Sequence, residues 1–186
     1  MIGIIILVVI VVLLIWGVSI YNNLVRLHNN REQAFANIDV QLKQRHDLIP
    51  QLVATVKGYA EHEKELLVRV TEARSAAMSA TGINEKIQAE NQLSSALAGL
   101  KVSLEAYPDL KANQNFLQLQ EEISDIENKL ASSRRGFNMT TREYNNAVQT
   151  FPSNLLAGMF GFKKEQMFEV PKEERAQYDK APEIKF

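Results

Sequence analysis

The sequence predicts an all-α fold in which a single N-terminal transmembrane helix precedes a long antiparallel (up-and-down) helical bundle, of four helices rather than three. Three observations support this prediction. Residues 2–20 contain no charged side chain. Apolar residues then recur every three or four positions, which is the period of an amphipathic helix. Strand signals are sparse, and 5 Pro and 8 Gly in 186 residues are too few for a disordered or collagenous chain.

Residues 1–21 are interpreted as a retained membrane anchor. As a helix, residues 2–20 span about 28 Å, close to the hydrocarbon thickness of a bilayer. A cleaved signal peptide is the alternative, but it requires a basic start and a small-residue cleavage site, and the sequence lacks both. The residues taken to represent the anchor are Ile2, Ile5, Val9, Leu13, Trp16 and Ile20.

Basic residues flank this run only on its C-terminal side, at Arg26, Arg31, Lys43 and Arg45. The excess of Lys and Arg on the cytoplasmic side of membrane proteins sets their orientation. The sequence therefore predicts a single-pass protein of the cell (inner) membrane, with its N-terminus outside and its bundle in the cytoplasm.

Residues 22–150 are predicted to form the bundle. A first helical segment follows the anchor, and a second is expected over residues 47–80, with Asp47 as N-cap and Pro50 in the first turn. If Pro50 only kinks a continuous helix, the bundle has three long helices instead. With four helices, the end of the last one returns toward the membrane.

The first bundle segment carries amide side chains at seven-residue spacing. These are Asn23, Asn30, Asn37, Gln44 and Gln51. One interpretation is an ordinary solvated face. The other is a hydrogen-bonded seam against a second copy, because buried amides at heptad spacing fix the register of coiled coils. On the second interpretation these five residues are candidates for self-association.

A third helix is predicted over residues 84–107, where Pro108 stops it, and a fourth over residues 109–150. The fourth has apolar side chains seven residues apart: Phe116, Ile123, Leu130, Phe137, Tyr144 and Phe151. A repeat of this length needs a partner helix to cover it. The partner is expected within the same chain, and a coiled coil between chains is the alternative.

Residues 151–162 form an apolar segment in which Pro152 and Ser153 are expected to open a short helix and Gly161 to close it. It either caps one end of the bundle or lies at the membrane interface. The membrane-interface candidates are Phe151, Leu155, Leu156, Met159, Phe160, Phe162, Lys163 and Lys164. Residues 163–186 are expected to be an extended tail that lies along a groove, or that docks a partner through its last residues.

Signals of chemistry are weak. The chain has no cysteine, and its net charge of −1 gives no reason to expect nucleic acid as a partner. His62-Glu63 begins like a zinc-protease motif, but Leu66 stands where the second His is needed. A hydrolase using His46, Asp47 and Arg134 requires those side chains to converge. The sequence therefore predicts no enzymatic activity, no cofactor and no metal.

Long stretches of the chain resemble the LemA family of bacterial membrane-anchored helical proteins. They include YNNLVRL, NIDVQLKQRHDLIPQLVATVKGYAEHE, EAYPDLKANQNFLQLQ, IENKLASSRRGFN and FPSNLLAGMFGF. The resemblance implies one membrane helix, a cytoplasmic antiparallel bundle and no established catalytic activity, metal or cofactor. It also implies a membrane-organising or protease-associated role.

The expected function is therefore that of a non-enzymatic, membrane-tethered helical scaffold that self-associates and organises membrane or protein partners. Its expected partners are the lipid bilayer and other copies of the chain. The alternative is an adaptor for a membrane metalloprotease or sensor, with the C-terminal tail as the docking element.

Overall fold

The structure is a computed structural model that describes residues 1–168, with position 61 described by its backbone alone. Within this range the chain forms six α-helices and no strand. The helices are α1 (Ile2–Lys57), α2 (Lys64–Ser79), α3 (Ile83–Leu104), α4 (Pro108–Lys111), α5 (Gln114–Gln149) and α6 (Ser153–Phe160). A single 3₁₀ turn, Glu61–Glu63, joins α1 to α2. The predicted all-α fold is confirmed.

The long helices run up and down in sequence. The lower part of α1 leads away from the apolar run, α2 returns, α3 leads away again, and α5 returns beside α1, since short connections make successive helices antiparallel. The return is complete, because α6 follows α5 and its Phe160 ring lies 4.8 Å from the ring of Tyr21. The end of the last long helix therefore lies beside the end of the apolar run, as four passes require.

The predicted helix start at Asp47 is wrong, because α1 continues without a break through Pro50 to Lys57. Proline has no N–H, so it leaves the carbonyl four residues earlier without its helical hydrogen bond. That carbonyl belongs to His46, and it accepts a hydrogen bond from Arg74 Nε of α2 at 2.7 Å. A side chain from the neighbouring helix thus replaces the missing donor, and the helix remains whole.

The chain reverses instead between Gly58 and Glu63, so the segment predicted over residues 47–80 is divided between two helices. The segment predicted over 109–150 is also divided. Asn113 begins α5 as its N-cap, since its side-chain oxygen accepts a hydrogen bond from the backbone N–H of Phe116 at 3.0 Å.

The bundle has two apolar clusters along its length. One is formed around Ile49, Leu52 and Val56 of α1 at the end far from the apolar run, and the other around Phe35, Ile38 and Leu42 of the same helix. From the heptad row of α5, Phe116, Leu130, Phe137 and Tyr144 are buried within this one chain, whereas Phe151 follows the end of α5 and is exposed. The covering partner of α5 is therefore α1 of the same molecule, as expected.

The N-terminal apolar run is exposed along most of its length, although Ile20 near its end is half-buried. Every large apolar side chain from Ile2 to Val18 is about half exposed or more. Among residues 1–168, α1 is the one helix that is long and apolar enough to cross a membrane. No break separates this run from the bundle, so α1 is a single rod across the predicted boundary at residue 21.

Candidate functional site

A layer of buried charged and polar side chains separates the two apolar clusters. Arg45 of α1 is 0% exposed and Glu90 of α3 is 1% exposed, and the two form an ion pair. Arg45 Nη2 makes this contact, and Arg45 Nη1 donates to Glu127 Oε1 of α5 at 2.7 Å and to Ser94 Oγ at 3.0 Å. His46 Nε2 lies 2.7 Å from the second carboxylate oxygen of Glu90. This polar layer therefore ties α1, α3 and α5 at one level of the bundle.

The Glu90 carboxylate is ionised in this setting. Burial alone raises the pKa of Glu90, but the hydrogen bond from His46 and the positive charge of Arg45 lower it by more, so its pKa lies below the usual value. Because an ionised carboxylate only accepts hydrogen bonds, His46 Nε2 is the donor in their contact. Such a layer aligns the helices at one register, since any slip leaves a buried charge without its partner.

Two asparagines of α5 hold the chain that follows α6. The backbone N–H of Glu165 donates to Asn145 Oδ1 at 2.8 Å, and the Asn145 amide donates back to the Glu165 carbonyl at 2.9 Å. Asn138 makes the same two bonds with the backbone of Phe168, at 2.9 and 3.0 Å. We call Asn138 and Asn145 the asparagine clamp. Each amide side chain pairs with the backbone as a neighbouring strand does.

The clamp places Phe168 in the core. Its side chain is 4% exposed, with its ring centroid 5.6 Å from that of Phe137 and 6.4 Å from that of Phe35. The guanidinium of Arg134 lies 5.0 Å from the Phe168 ring centroid, within the range of a cation–π contact. Arg134 thus contacts a side chain of its own tail.

Buried Arg31 of α1 holds the same segment from the other side. Its Nη2 lies 3.3 Å from Glu165 Oε2 and donates to Asn84 Oδ1 at 2.9 Å. Burial lowers the pKa of Arg31, although the nearby Glu165 carboxylate acts in the opposite direction. The first residues of the predicted tail are therefore part of the bundle.

A group of exposed apolar side chains lies where the apolar run of α1 meets the bundle. We call Phe151, Leu155, Met159 and Phe160 the apolar foot. Phe151 is 80% exposed and Met159 is 77% exposed, whereas Ala157 on the opposite side of α6 is buried. The rest of the predicted set is arranged around it: Leu156 and Phe162 are half-buried, and Lys163 and Lys164 are exposed.

The ends of α6 agree with the sequence prediction. The helix begins at Ser153, directly after Pro152, and ends at Gly161, whose φ of 76° is left-handed and free of strain in glycine. The backbone N–H of Phe162 donates to the Ala157 carbonyl at 2.9 Å, which closes the helix. The turn presses Phe162 against Tyr21, with 5.9 Å between ring centroids. The foot is thus fixed beside α1.

The predicted amide row lies on the outer side of α1. Asn30, Asn37, Gln44 and Gln51 are exposed, and Asn23 is half-buried and accepts a hydrogen bond from Arg26 at 2.6 Å. All five residues lie on one continuous helix, because α1 has no break. Its role in self-association remains a prediction.

The residues considered for hydrolase chemistry have different partners. His46 is bonded to Glu90, Asp47 is exposed and lies 3.9 Å from Lys43 Nζ, and Arg134 lies over Phe168. The described residues hold no group of three or more His, Cys, Asp or Glu side chains placed to bind a metal. The expected absence of enzymatic activity remains a prediction.

Two of the basic residues on which the predicted orientation depends have buried side chains. Arg31 and Arg45 are buried and paired with carboxylates, while Arg26 and Lys43 are exposed. The positive flank is therefore smaller than its sequence count, and the orientation remains a prediction.

The polar layer and the asparagine clamp were not found from the sequence. The sequence contains one signal for the polar layer. Arg45, like Arg31, lies in a seven-residue row whose other members are apolar and buried: Leu24, Ile38 and Leu52. A charge in an apolar row is buried only with a partner. For the clamp, no comparable signal exists, since its partner is backbone.

Comparison with known proteins agrees with this architecture. A family model described as the LemA family matches residues 34–186. The chain is 28% identical over 160 residues to Protein LemA of Metamycoplasma hominis, which covers 85% of this chain and 73% of that protein. It is 22% identical over 174 residues to magnetosome protein MamQ of Magnetospirillum gryphiswaldense, covering 80% of this chain and 64% of the relative. The family model matches most of this chain, which folds as an all-α bundle continuous with an apolar helix. The chain therefore belongs to the LemA family.

Proposed function

We propose that the protein is a non-enzymatic, membrane-tethered scaffold that self-associates along α1 and organises membrane or protein partners. The observation that carries the proposal is the exposed amide row on a helix that continues unbroken into the apolar run. Tethering confines the copies to a plane and raises their effective concentration, so that weak contacts are sufficient for assembly.

The amide row extends into the proposed anchor in the same heptad phase. Counting back from Asn23 in steps of seven reaches Trp16, Val9 and Ile2, all of which are exposed. A contact between two anchors on this side is therefore continued by amide pairs outside the membrane. Because a straight helix drifts by about 20° per heptad from a seven-residue repeat, two copies that follow the row wind around each other left-handedly.

The first prediction concerns this row. Replacing Asn37 with glutamate is expected to weaken self-association about tenfold, or about 1.4 kcal/mol, because a symmetric interface places the two new carboxylates together. The control is Asn128→Glu, the same change at an exposed position of α5. The measurement is the light-scattering mass of the full-length protein in detergent across a range of concentrations. A wild type that is a single chain at every concentration, or equal behaviour of the two variants, contradicts the proposal.

The apolar foot supports a second point of membrane contact. It is exposed, it lies beside Tyr21 at the end of the apolar run, and Lys163 and Lys164 follow it. Apolar side chains with adjacent cations suit the interface of an anionic bilayer. Contact between the foot and the bilayer then limits the tilt of the protein relative to the membrane.

The second prediction tests this contact. The chain has no cysteine, so Met159→Cys gives a single site for a polarity-sensitive fluorophore. In proteoliposomes that contain anionic lipid, we expect a blue-shifted emission relative to the same label at Met139→Cys, an exposed position on α5 that is 60% accessible. Equal emission from the two labels rules out lipid contact by the foot.

An adaptor for a membrane protease is the second candidate function. The structure changes the form of this candidate, because residues 165–168 are bound to Arg31 and the asparagine clamp. Removing residues 165–186 therefore damages the bundle core as well as any docking element. A deletion of residues 169–186 alone leaves Phe168 in place and is the correct test of partner copurification.

A further inference from the structure

A groove runs between α3 and α5 on the side of the bundle from which Phe168 enters. It has a volume of about 980 Å³, and Leu52 of α1 lies at its base. Part of its α3 side is lined by small residues, namely Ser95, Ala98 and Gly99. The far end exposes apolar surface, since Val102 is 72% exposed and Leu117 is 49% exposed.

The groove continues the path of the clamped segment. Residues 165–168 lie between the beginning of α3, through Asn84 and Gln88, and the end of α5, through the asparagine clamp. Glu165 lies at Asn145 and Phe168 at Asn138, so the chain moves toward the N-terminal end of α5. The next groove-lining residues in that direction are Arg134 and Glu127 of α5 and Asn91 of α3.

The clamp also sets the register of this path. Seven helical residues rise about 10.5 Å, and three extended residues span about 10 Å, so the two clamp pairs match an extended chain. Continued at the same ratio, this register would place residue 171 beside position 131, residue 174 beside Ser124, and residue 177 beside Leu117. The 18 residues from 169 to 186 span about 59 Å when extended, whereas the 21 residues from Asn138 back to Leu117 rise about 32 Å.

We propose that residues 169–186, which lie outside the described residues, dock in extended form in the α3/α5 groove of the same molecule. At the register of the clamp, Arg175 reaches Glu121, a groove-lining carboxylate, and Tyr178 reaches the exposed apolar pair Val102 and Leu117. The tail then packs beside the four long helices as a fifth element of the bundle. It covers the open side of the polar layer, where Glu127 and Ser94 line the groove.

Disulfide cross-linking in the full-length protein tests this docking, and the absence of native cysteine makes it specific. The test variant is Leu117→Cys with Tyr178→Cys. The control is Val40→Cys with Tyr178→Cys, because Val40 is 63% exposed and lies only five residues along α1 from Phe35, which contacts Phe168. Val40 lies on the outer face of α1, outside the groove, so the control pair measures how fast a freely moving tail meets an exposed site.

We expect the test pair to form an intramolecular disulfide about tenfold faster than the control pair, because docking raises the effective concentration of the two thiols. A groove-filling change, Gly99→Trp in the test background, is expected to remove most of this advantage. A Cβ at Gly99 meets no atom within 4 Å, so the first atom of the new side chain leaves the α3 backbone without a clash.

Three results overturn the proposal. Equal rates for test and control pairs mean that the tail does not dock in the groove. A rate unaffected by Gly99→Trp, with helicity intact, places the tail elsewhere. Disulfides that link two chains in preference to one, at high dilution, assign the groove to the tail of a second copy.

Discussion

Replacing Arg45 with alanine is expected to lower the free energy of unfolding of the bundle by about 3–5 kcal/mol, because the substitution leaves a buried charge without its partner. Glu90 is 1% exposed and would keep only its bond to His46, and Glu127 would lose its contact as well. The loss of the long side chain also opens a cavity between the two apolar clusters. These effects act together at one level of the bundle.

Denaturant unfolding of the full-length protein in detergent micelles, followed by circular dichroism, measures this loss. The matched control is Arg69→Ala, which breaks an ion pair with Glu65 whose side chains are 64% and 80% exposed. Exposed pairs of this kind contribute about 0–1 kcal/mol. If the two alanine variants lower stability equally, the polar layer does not hold the helices together.

Replacing Phe168 with alanine is expected to lower the free energy of unfolding by a similar amount, about 3–5 kcal/mol, as for other large aromatic side chains removed from a core. Phe168 packs between Phe35 and Phe137 and is 4% exposed. Without the ring, only polar contacts, those of the asparagine clamp and of Arg31, Asn84 and Gln88, hold the segment. The tail is then expected to leave the bundle, and trypsin to cleave faster after Lys163 and Lys164.

The neighbouring change Met167→Ala is the control, because Met167 is 39% exposed and precedes the buried ring. Both variants are compared by unfolding and by the rate of tryptic cleavage. Equal stability and equal cleavage in the two variants mean that Phe168 is not a member of the core.

The long helices and the short helix α6 were predictable because their signals are local. A seven-residue apolar row, a proline that opens a helix and a glycine that closes it each depend on neighbours in sequence. The row from Phe116 to Tyr144 and the helix that ends at Gly161 were found in this way. The fold class and the proposed anchor follow from such signals alone.

The continuation of α1 through Pro50 was not predictable, because it depends on a contact between distant residues. Proline normally favours a helix start, and the sequence does not reveal that Arg74 returns to supply the missing hydrogen bond. The same limit applies to the asparagine clamp and to the pairing of Arg45 with Glu90. Arg45 and Glu90 are 45 positions apart in the sequence. The clamp joins a side chain to a backbone group, and every residue type has the same backbone groups.

The position of Phe168 has a consequence for biosynthesis. Chains emerge from the ribosome with the N-terminal end first and fold as they appear. The apolar run of α1, Phe35 and Phe137 all precede Phe168 in the chain, so they are made before the ring that fills the space between them. Every newly made molecule therefore has its apolar helix and the rest of this cluster before the ring of Phe168 emerges, and the space between Phe35 and Phe137 is filled only then.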